Sequence, residues 1–209
     1  MTQHAQITLP PIAPDVPGKI TYEQFLEMDL ENPYAEWVDG KVVYMPPVSN
    51  LNTILSAFLM GILQVFVQER QLGEIKHDPF QMKTGPDLPG RAPDIMFVSK
   101  KNLGRLKKNH LEGPADLVIE ITSPGSRGTD RGDKHYEYER GGVKEYWLLD
   151  PARKQAEFYI LGRDGIYRAA IIGDDNVFRS RAVKELWIKE NWLWERPAPL
   201  VIFKQWGLI

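Results

Sequence analysis

The sequence predicts an α/β (α+β) fold in which helices flank a mixed central β-sheet. Short apolar segments bounded by Gly, Pro, Asn and Asp recur along the chain, as β-strands do, and two longer segments have helical periodicity. Residues 117–149 have the pattern strand, helix, strand, which is typical of a right-handed crossover between parallel strands. The length of 209 residues and the 43% hydrophobic content fit one globular unit. We therefore assign residues 19–209 to a single domain and expect the proline-rich lead, residues 1–18, to be extended or disordered.

Three segments are predicted to be helices. Residues 21–28 form a short helix capped by Thr21. Residues 50–69 carry an apolar stripe at helical spacing and should end before Gly73, as a core helix or a subunit contact. The uncharged stretch 42–68, which includes most of this helix, is interrupted by prolines and polar residues, and this favours a buried helix over a membrane span. The third helix, residues 130–140, should be capped by Thr129 and ended by two glycines.

The strands are predicted from short apolar or alternating segments. The turn Asp39-Gly40 is typical of a tight hairpin, and a second hairpin is expected around Gly165. The tail 185–194 holds three of the six tryptophans and should pack back onto the body as strand or turn. The predicted strands are residues 35–38, 41–45, 74–77, 80–83, 93–98, 117–122, 145–149, 157–161 and 166–172.

Composition excludes several classes of function. The chain has no cysteine, so disulfides, thiolate catalysis and cysteine-bound metals are excluded. The four histidines are scattered, and no phosphate-binding loop, dinucleotide-binding glycine pattern or serine nucleophile elbow is present. A formal charge of −2 argues against a protein that coats nucleic acid by bulk attraction. No secretory signal is present, so we expect a cytoplasmic protein without a membrane partner.

Two acids lie in apolar strands and are the first candidates for chemistry. Alternation within residues 117–122 places Glu120 on the face opposite to Leu117 and Ile119, in apolar surroundings where a carboxylate is costly unless a cation or donor meets it. Asp94 begins another apolar strand. Together they could hold a hard divalent cation through oxygen ligands. Alternatively, Glu120 pairs with a structural Arg or Lys and Asp94 caps a turn.

The helix that follows Glu120 offers a cation. Asp130, Lys134 and Tyr138 are spaced i, i+4, i+8 and therefore share one face of this helix. Lys134 could supply positive charge if that face packs over Glu120. Otherwise, Asp130 and Lys134 form an ordinary solvated pair on the helix surface.

Basic residues concentrate next to these acids in the sequence. Seven Lys or Arg residues lie between positions 83 and 108 against two aspartates, a net +5. We expect Lys100, Lys101, Arg127 and Arg131 to bind substrate phosphates, with strong salt dependence. The alternative is a solvated basic loop.

Three stretches and a later hairpin together resemble the PD-(D/E)XK nuclease superfamily. They are residues 35–49, 92–99, 116–151 and the hairpin that contains EFYIL. The similarity is greater to the branch of restriction-endonuclease-like proteins that is abundant in cyanobacteria. The resemblance implies a restriction-endonuclease-like core, to which the N-terminal hairpin and C-terminal strands are added.

The resemblance also implies the roles of the site residues. Asp94 and Glu120, with the Ile121 carbonyl, would bind Mg²⁺ or Mn²⁺. The superfamily places a lysine two residues after the glutamate, but here that residue is Thr122. Lys134 would replace the lysine, and Glu36 would be an additional acid.

The expected function is metal-dependent hydrolysis of DNA, in duplex form, by a protein that could act as a homodimer. Two alternatives remain open at this point. One is a catalytically silent nucleic-acid-binding or regulatory module on the same fold, and the other is a hydrolase of another phosphoester.

Overall fold

A six-stranded mixed sheet forms the centre of this computed structural model, which describes residues 18–209. Its strand order is β11-β10-β9-β8-β6-β3, and only the pair β8 and β9 is parallel, as the predicted crossover requires. The other neighbouring strands of this central sheet are antiparallel. The strands of this sheet are β3 (Gly73–His77), β6 (Ile95–Ser99), β8 (Leu117–Ile121), β9 (Glu145–Asp150), β10 (Gln155–Leu161) and β11 (Tyr167–Ala169).

The N-terminal hairpin belongs to a second sheet of five strands, in the order β2-β1-β5-β4-β7. The predicted turn at Asp39-Gly40 joins β1 and β2, with Val38 opposite Lys41. Because β1 also pairs with β5, the hairpin extends this sheet instead of standing as a separate addition. The strands are β1 (Ala35–Val38), β2 (Lys41–Tyr44), β4 (Gln81–Lys83), β5 (Gly90–Arg91) and β7 (His110–Glu112), and a separate ribbon pairs β12 (Val177–Arg179) with β13 (Trp187–Lys189).

Helices cover both faces of the central sheet. Leu117, Ile119 and Ile121 face the long helix and the C-terminal segment, whereas Val118 packs on the other face with Tyr138. The alternation predicted for β8 is thus present. The helices are α1 (Tyr22–Glu27), α2 (Asn50–Glu69), α3 (Arg127–Thr129), a π-helical segment (Asp130–Lys134), α4 (His135–Gly141), α5 (Trp192–Glu195) and α6 (Pro199–Gln205), with a 3-10 helix at Lys100–Arg105.

The predicted start of the third helix is wrong. Thr129 has helical backbone angles and lies inside a helical stretch that begins at Arg127. The hydroxyls of Ser123 and Ser126 accept hydrogen bonds from each other's backbone N–H groups, at 3.2 and 3.0 Å, and this turn begins the helix two residues before Thr129. The predicted end is correct, because Gly142 closes α4 in the left-handed conformation.

The tail packs back onto the body as expected, but with more helix than the sequence predicts. Trp192 and Trp206 are buried in the core, and the Trp206 ring contacts Phe66 of α2 edge to face at 4.9 Å. These contacts stabilise the short helices α5 and α6. The lead predicted for residues 1–18 lies, apart from its last residue, outside the described residues.

Helix α2 is long and apolar enough to cross a membrane by composition alone. Leu55, Leu59 and Ile62 of this helix are fully buried in the core against the central sheet. The burial of this face agrees with the predicted core helix.

Candidate active site

The register of the central sheet brings Asp94 and Glu120 together. Strands β6 and β8 are antiparallel with Ile95 opposite Ile119, and one further step of this register sets Asp94 opposite Glu120. Directly opposite residues of an antiparallel pair point to the same face, about 5 Å apart at their Cβ atoms. The Asp94 carboxylate also accepts a hydrogen bond from the Ile121 N–H at 2.5 Å. Both acids therefore lie at the edge of the sheet where β8 ends.

Glu120 is almost fully buried, with 3% of its surface exposed, and two side chains from the helical segment satisfy it. The Tyr138 hydroxyl donates to Glu120 Oε1 at 2.6 Å, and Lys134 Nζ lies 3.1 Å from Oε2. Burial raises the pKa of Glu120 well above its ordinary value, in spite of the opposing effect of Lys134. Asp94 raises that pKa further, because a second negative charge nearby disfavours ionisation.

Lys134 lies at the end of the π-helical segment and points into this cluster. Its ammonium is 3.4 Å from both Glu36 Oε1 and Asp130 Oδ1, in addition to Glu120. The solvated pair considered above is therefore wrong, since the Lys134 side chain is buried. Burial lowers the pKa of Lys134, but the surrounding carboxylates, Glu120 first, raise it well above the ordinary value. Lys134 thus remains a cation and a hydrogen-bond donor at neutral pH.

Glu36 comes from β1 and joins the hairpin to the site. It accepts from Arg91 Nη1 at 2.8 Å and from the Ala92 N–H at 3.2 Å. Arg91 in turn holds Glu137 through two hydrogen bonds of 2.7 Å. Burial raises the pKa of Glu36, but Lys134 and Arg91 outweigh burial, so that the pKa is lowered and the carboxylate stays charged.

The acids open onto a cavity of about 630 Å³ at the end of β8. Asp94, Glu120, Ile121 and Lys134 line it. The other lining residues come from α2, from residues 45–48 and from Asn32, Tyr34, His77, Asp78, Ser123, Ser126 and Asp130. Among the described residues that line the cavity, Lys134 is the single lysine or arginine.

Three further polar residues of the cavity were not predicted as site residues. Asn52 of α2 donates from Nδ2 to the Ile121 carbonyl at 2.7 Å. Asp78 and Asp130 also line the cavity, and Asp130 Oδ1 is buried with the Lys134 ammonium at 3.4 Å but without a hydrogen bond. The spacing of Asp130, Lys134 and Tyr138 was the available signal for Asp130, but no local pattern links Asn52 to a strand 69 residues away.

Negative charge exceeds positive charge around Asp94. Burial raises the pKa of Asp94 to about 7, and Asp78 and Asp130 raise it as well, against the lowering effect of Lys134 and the Ile121 N–H. Such a shift means that the ionised carboxylate is poorly compensated in the protein alone. Perturbed carboxylates in a cleft are characteristic of functional sites.

The predicted metal ligands form an oxygen donor set of two carboxylates and one carbonyl. Asp94 and Glu120 line the cavity together with Ile121, whose carbonyl can accept beyond its bond with Asn52 because it has two lone pairs. Within residues 18–209, no three His, Asp or Glu side chains form a ready-made metal cage. The set is therefore an open one that leaves positions for water or substrate oxygens.

Thr122, at the position where the superfamily has lysine, does not reach into the site. The residue is fully buried, and its N–H donates to the Leu149 carbonyl at 2.8 Å. Its hydroxyl lies 3.5 Å from the Ser123 carbonyl. The positive charge beside Glu120 is supplied by Lys134 alone among the described residues that contact this carboxylate.

The four predicted phosphate-binding residues lie outside the cavity. Lys100 and Lys101 are exposed at the far end of β6, about 20 Å from Asp94 at about 3.3 Å per residue. They are close to Asp94 in sequence, but the strand carries them away. Arg127 pairs with Asp150 at 2.7 Å, and Arg131 pairs with Glu157. Their charges are thus partly compensated within the protein.

Comparisons with known proteins agree with this fold. A family model, Uma2, described as "Putative restriction endonuclease", matches residues 22–191. A crystal structure from Anabaena variabilis ATCC 29413, described as a "putative nuclease belonging to DUF820", is similar with a TM-score of 0.68 and 18% identity. The match covers 84% of this chain and 98% of that one, and at this identity it shows a common fold. No protein of established annotation matches the chain. The matched residues include all the acids of the cluster and Lys134, and the chain belongs to the Uma2 family of restriction-endonuclease-like proteins.

Proposed function

We propose that the protein is a Mg²⁺- or Mn²⁺-dependent nuclease that hydrolyses DNA phosphodiester bonds in the cavity at the end of β8. The observation that carries the proposal is the meeting of Asp94 and Glu120 at one sheet edge, with the Lys134 ammonium 3.1 Å from Glu120. Two acids with raised pKa values and a fixed cation suit the hydrolysis of an anionic ester better than a purely structural role.

The residues at the site fit a hard divalent cation. Asp94, Glu120 and the Ile121 carbonyl would hold it, and Mg²⁺ commonly keeps several waters and substrate oxygens beside one or two carboxylates. The raised pKa of Asp94 supports this fit, because a cation would compensate the ionised carboxylate. When bound, the metal would polarise the phosphate and lower the pKa of a bound water.

Lys134 would act as a donor and not as a general base. Its pKa is raised well above the ordinary value, so it holds its proton at neutral pH. From its position beside Glu120 it can orient the attacking water and stabilise the negative charge that develops on the phosphate. Glu36 would be a positioning residue, because its carboxylate fixes Lys134 from the side of the hairpin.

Cleavage of plasmid and oligonucleotide DNA with Mg²⁺ or Mn²⁺ tests the proposal. Asp94→Asn and Glu120→Gln should each abolish cleavage, because each removes one of the two acidic ligands while keeping the side-chain volume. Asp164→Asn is the matched control, since Asp164 is an exposed residue that pairs with Arg168 away from the cavity.

The outcomes separate the alternatives. Cleavage that survives both Asp94→Asn and Glu120→Gln would place the activity elsewhere and refute the proposal. Absence of cleavage with retained DNA binding would instead favour the catalytically silent binding module on the same fold.

The protein would act as a homodimer, with α2 as the contact between copies. The N-terminal half of α2 exposes Leu51 and Ile54, at 46% and 39% of their surfaces, beside the cavity. No charged residue precedes Glu69 in this helix. A second copy on this face would cover apolar surface and lie next to the mouth of the site.

A further inference from the structure

Two features of the cavity are not explained by phosphodiester hydrolysis alone. One is an apolar wall formed by Met45, residues 46–48 and Met60. The other is Tyr34, which lines the cavity and has 46% of its surface exposed, so that its ring lies at the mouth. Binding of a phosphate group requires neither the apolar wall nor the aromatic ring.

The dimensions of the cavity limit what can reach the acids. A sphere of 630 Å³ is about 11 Å across. A base-paired duplex, whose major groove alone is about 12 Å wide, cannot enter such a space as a whole. Glu120 and Asp130 are almost fully buried, so a phosphate must enter the cavity to approach them.

The charge of the cavity also limits how it can bind nucleic acid. Asp78, Asp94, Glu120 and Asp130 line it, and Lys134 is the one lysine or arginine among the described lining residues. Even with one divalent cation bound, three positive charges stand against these four carboxylates, so the lining does not attract a phosphate backbone by itself. Affinity has to come from other contacts, and a nucleobase offers apolar faces that fit an aromatic ring and an apolar wall.

We propose that the site takes an unpaired DNA strand, in which one base leaves its stack and lies against Tyr34 and the wall formed by Met45 and residues 46–48. This inference rests on the nuclease function proposed above and replaces the duplex expected from the superfamily. Stacking on an aromatic ring at the mouth tolerates every base, so the preference is for strand state and not for sequence.

The experiment compares cleavage of one labelled sequence as a single strand, as a full duplex and as a duplex with a central unpaired loop. The values of kcat/KM for the single strand and the loop should exceed that for the duplex by at least about tenfold, because the duplex must first be unpaired. Equal or faster cleavage of the duplex would overturn the inference.

Tyr34 supplies the second arm. Tyr34→Ala should lower kcat/KM on the single strand by about 5- to 150-fold, the effect of losing one stacked base, whereas Tyr34→Phe should retain it. On a strand with a central run of abasic nucleotides, wild type and Tyr34→Ala should cut equally within that run, because no base is present there to stack on the ring. Tyr136→Ala is the matched control, because Tyr136 is exposed on α4 outside the cavity. A loss of the same size on the abasic strand would refute base stacking.

Failure of the nuclease function can be recognised separately. If wild type cuts none of the three substrates, binding of the same strands is measured by fluorescence anisotropy with Ca²⁺ in place of Mg²⁺. Tighter binding of the single strand that depends on Tyr34 would support the unpaired-strand site on a silent protein. Equal binding of duplex, or no dependence on Tyr34, would overturn it.

Discussion

Replacement of Asp94 by asparagine is predicted to abolish activity and, at the same time, to stabilise the metal-free protein above neutral pH. Burial raises the pKa of Asp94 to about 7, so the ionised carboxylate is unfavourable in the folded protein. Asparagine keeps an oxygen that can accept the Ile121 N–H, which donates to Asp94 at 2.5 Å, and removes the charge. The proposed metal ligand Asp94 therefore destabilises the fold when no metal is bound.

The magnitude follows from the pKa. The difference between the ordinary value of 3.8 and about 7 corresponds to roughly 4 kcal/mol, at about 1.36 kcal/mol per pH unit. Cavity water and local relaxation reduce the effect of a buried charge, so we expect a gain of about 1–2 kcal/mol for Asp94→Asn at pH 8.

The direction of the pKa shift of Asp94 sets the pH dependence of stability. The folded-state pKa of Asp94 lies above its unfolded value, so the folded state binds more protons between about pH 4 and pH 7. The free energy of unfolding of the wild type therefore falls, through this group, as the pH rises across that window. The gain of Asp94→Asn should be largest at pH 8 and smaller at pH 5.

Urea unfolding in EDTA at pH 5 and pH 8 measures the gain, with Asp164→Asn as the control. A gain of about 1–2 kcal/mol corresponds to a rise in Tm of a few degrees for a chain of this size. Added Mg²⁺ should stabilise the wild type and leave Asp94→Asn unchanged. The reasoning is refuted if Asp94→Asn is less stable than wild type at pH 8, or if its gain is the same at both pH values.

Three further predictions concern the lysine, the sheet and the exposed helix face. Lys134→Met should abolish cleavage and lower the free energy of unfolding by about 3–5 kcal/mol in urea titrations, because it leaves buried carboxylates uncompensated. Burial raises the pKa of Asp116, but hydrogen bonds, first that from Lys144, outweigh burial, so that the pKa lies below its ordinary value. Its contribution should be present above pH 4 and lost at lower pH, so that Asp116→Asn costs about 1–3 kcal/mol at pH 7 and less at pH 3. Ile54→Lys should convert dimers to monomers in sedimentation equilibrium without loss of stability, and a persistent dimer would exclude the α2 contact.

Local patterns predict the parts of the fold that are themselves local. The alternation in residues 117–122 predicts correctly which face Glu120 occupies, because a strand can place its side chains in only two directions. The turn Asp39-Gly40 likewise predicts the hairpin correctly, because a two-residue turn is itself a local feature. The helical spacing of Asp130, Lys134 and Tyr138 predicts correctly that they share one face.

Features that depend on long-range packing escaped this reasoning. Basic residues counted along the sequence were expected near Asp94, yet β6 carries Lys100 and Lys101 to its opposite end. Arg91, counted with them, is buried between Glu36 and Glu137. Asn52 reaches the site from a helix far away in sequence. Residues that are close in sequence can lie far apart along a strand, because a strand rises about 3.3 Å with every residue.

The balance of charge distinguishes the two interpretations of the acids that the sequence leaves open. A structural ion-pair network would balance its buried charges. Here the single guanidinium of Arg91 faces two carboxylates, those of Glu36 and Glu137. The connected cluster contains two cations, Lys134 and Arg91, against five carboxylates, those of Glu36, Asp94, Glu120, Asp130 and Glu137, so three negative charges remain. Without another cation the protein can reduce this excess by protonating acids, and the pKa values of Asp94 and Glu120 are shifted in that direction. The two acids with raised pKa values line the cavity, whereas the pKa of Glu36 is lowered. This distribution supports the proposed cation from solution over a purely structural network.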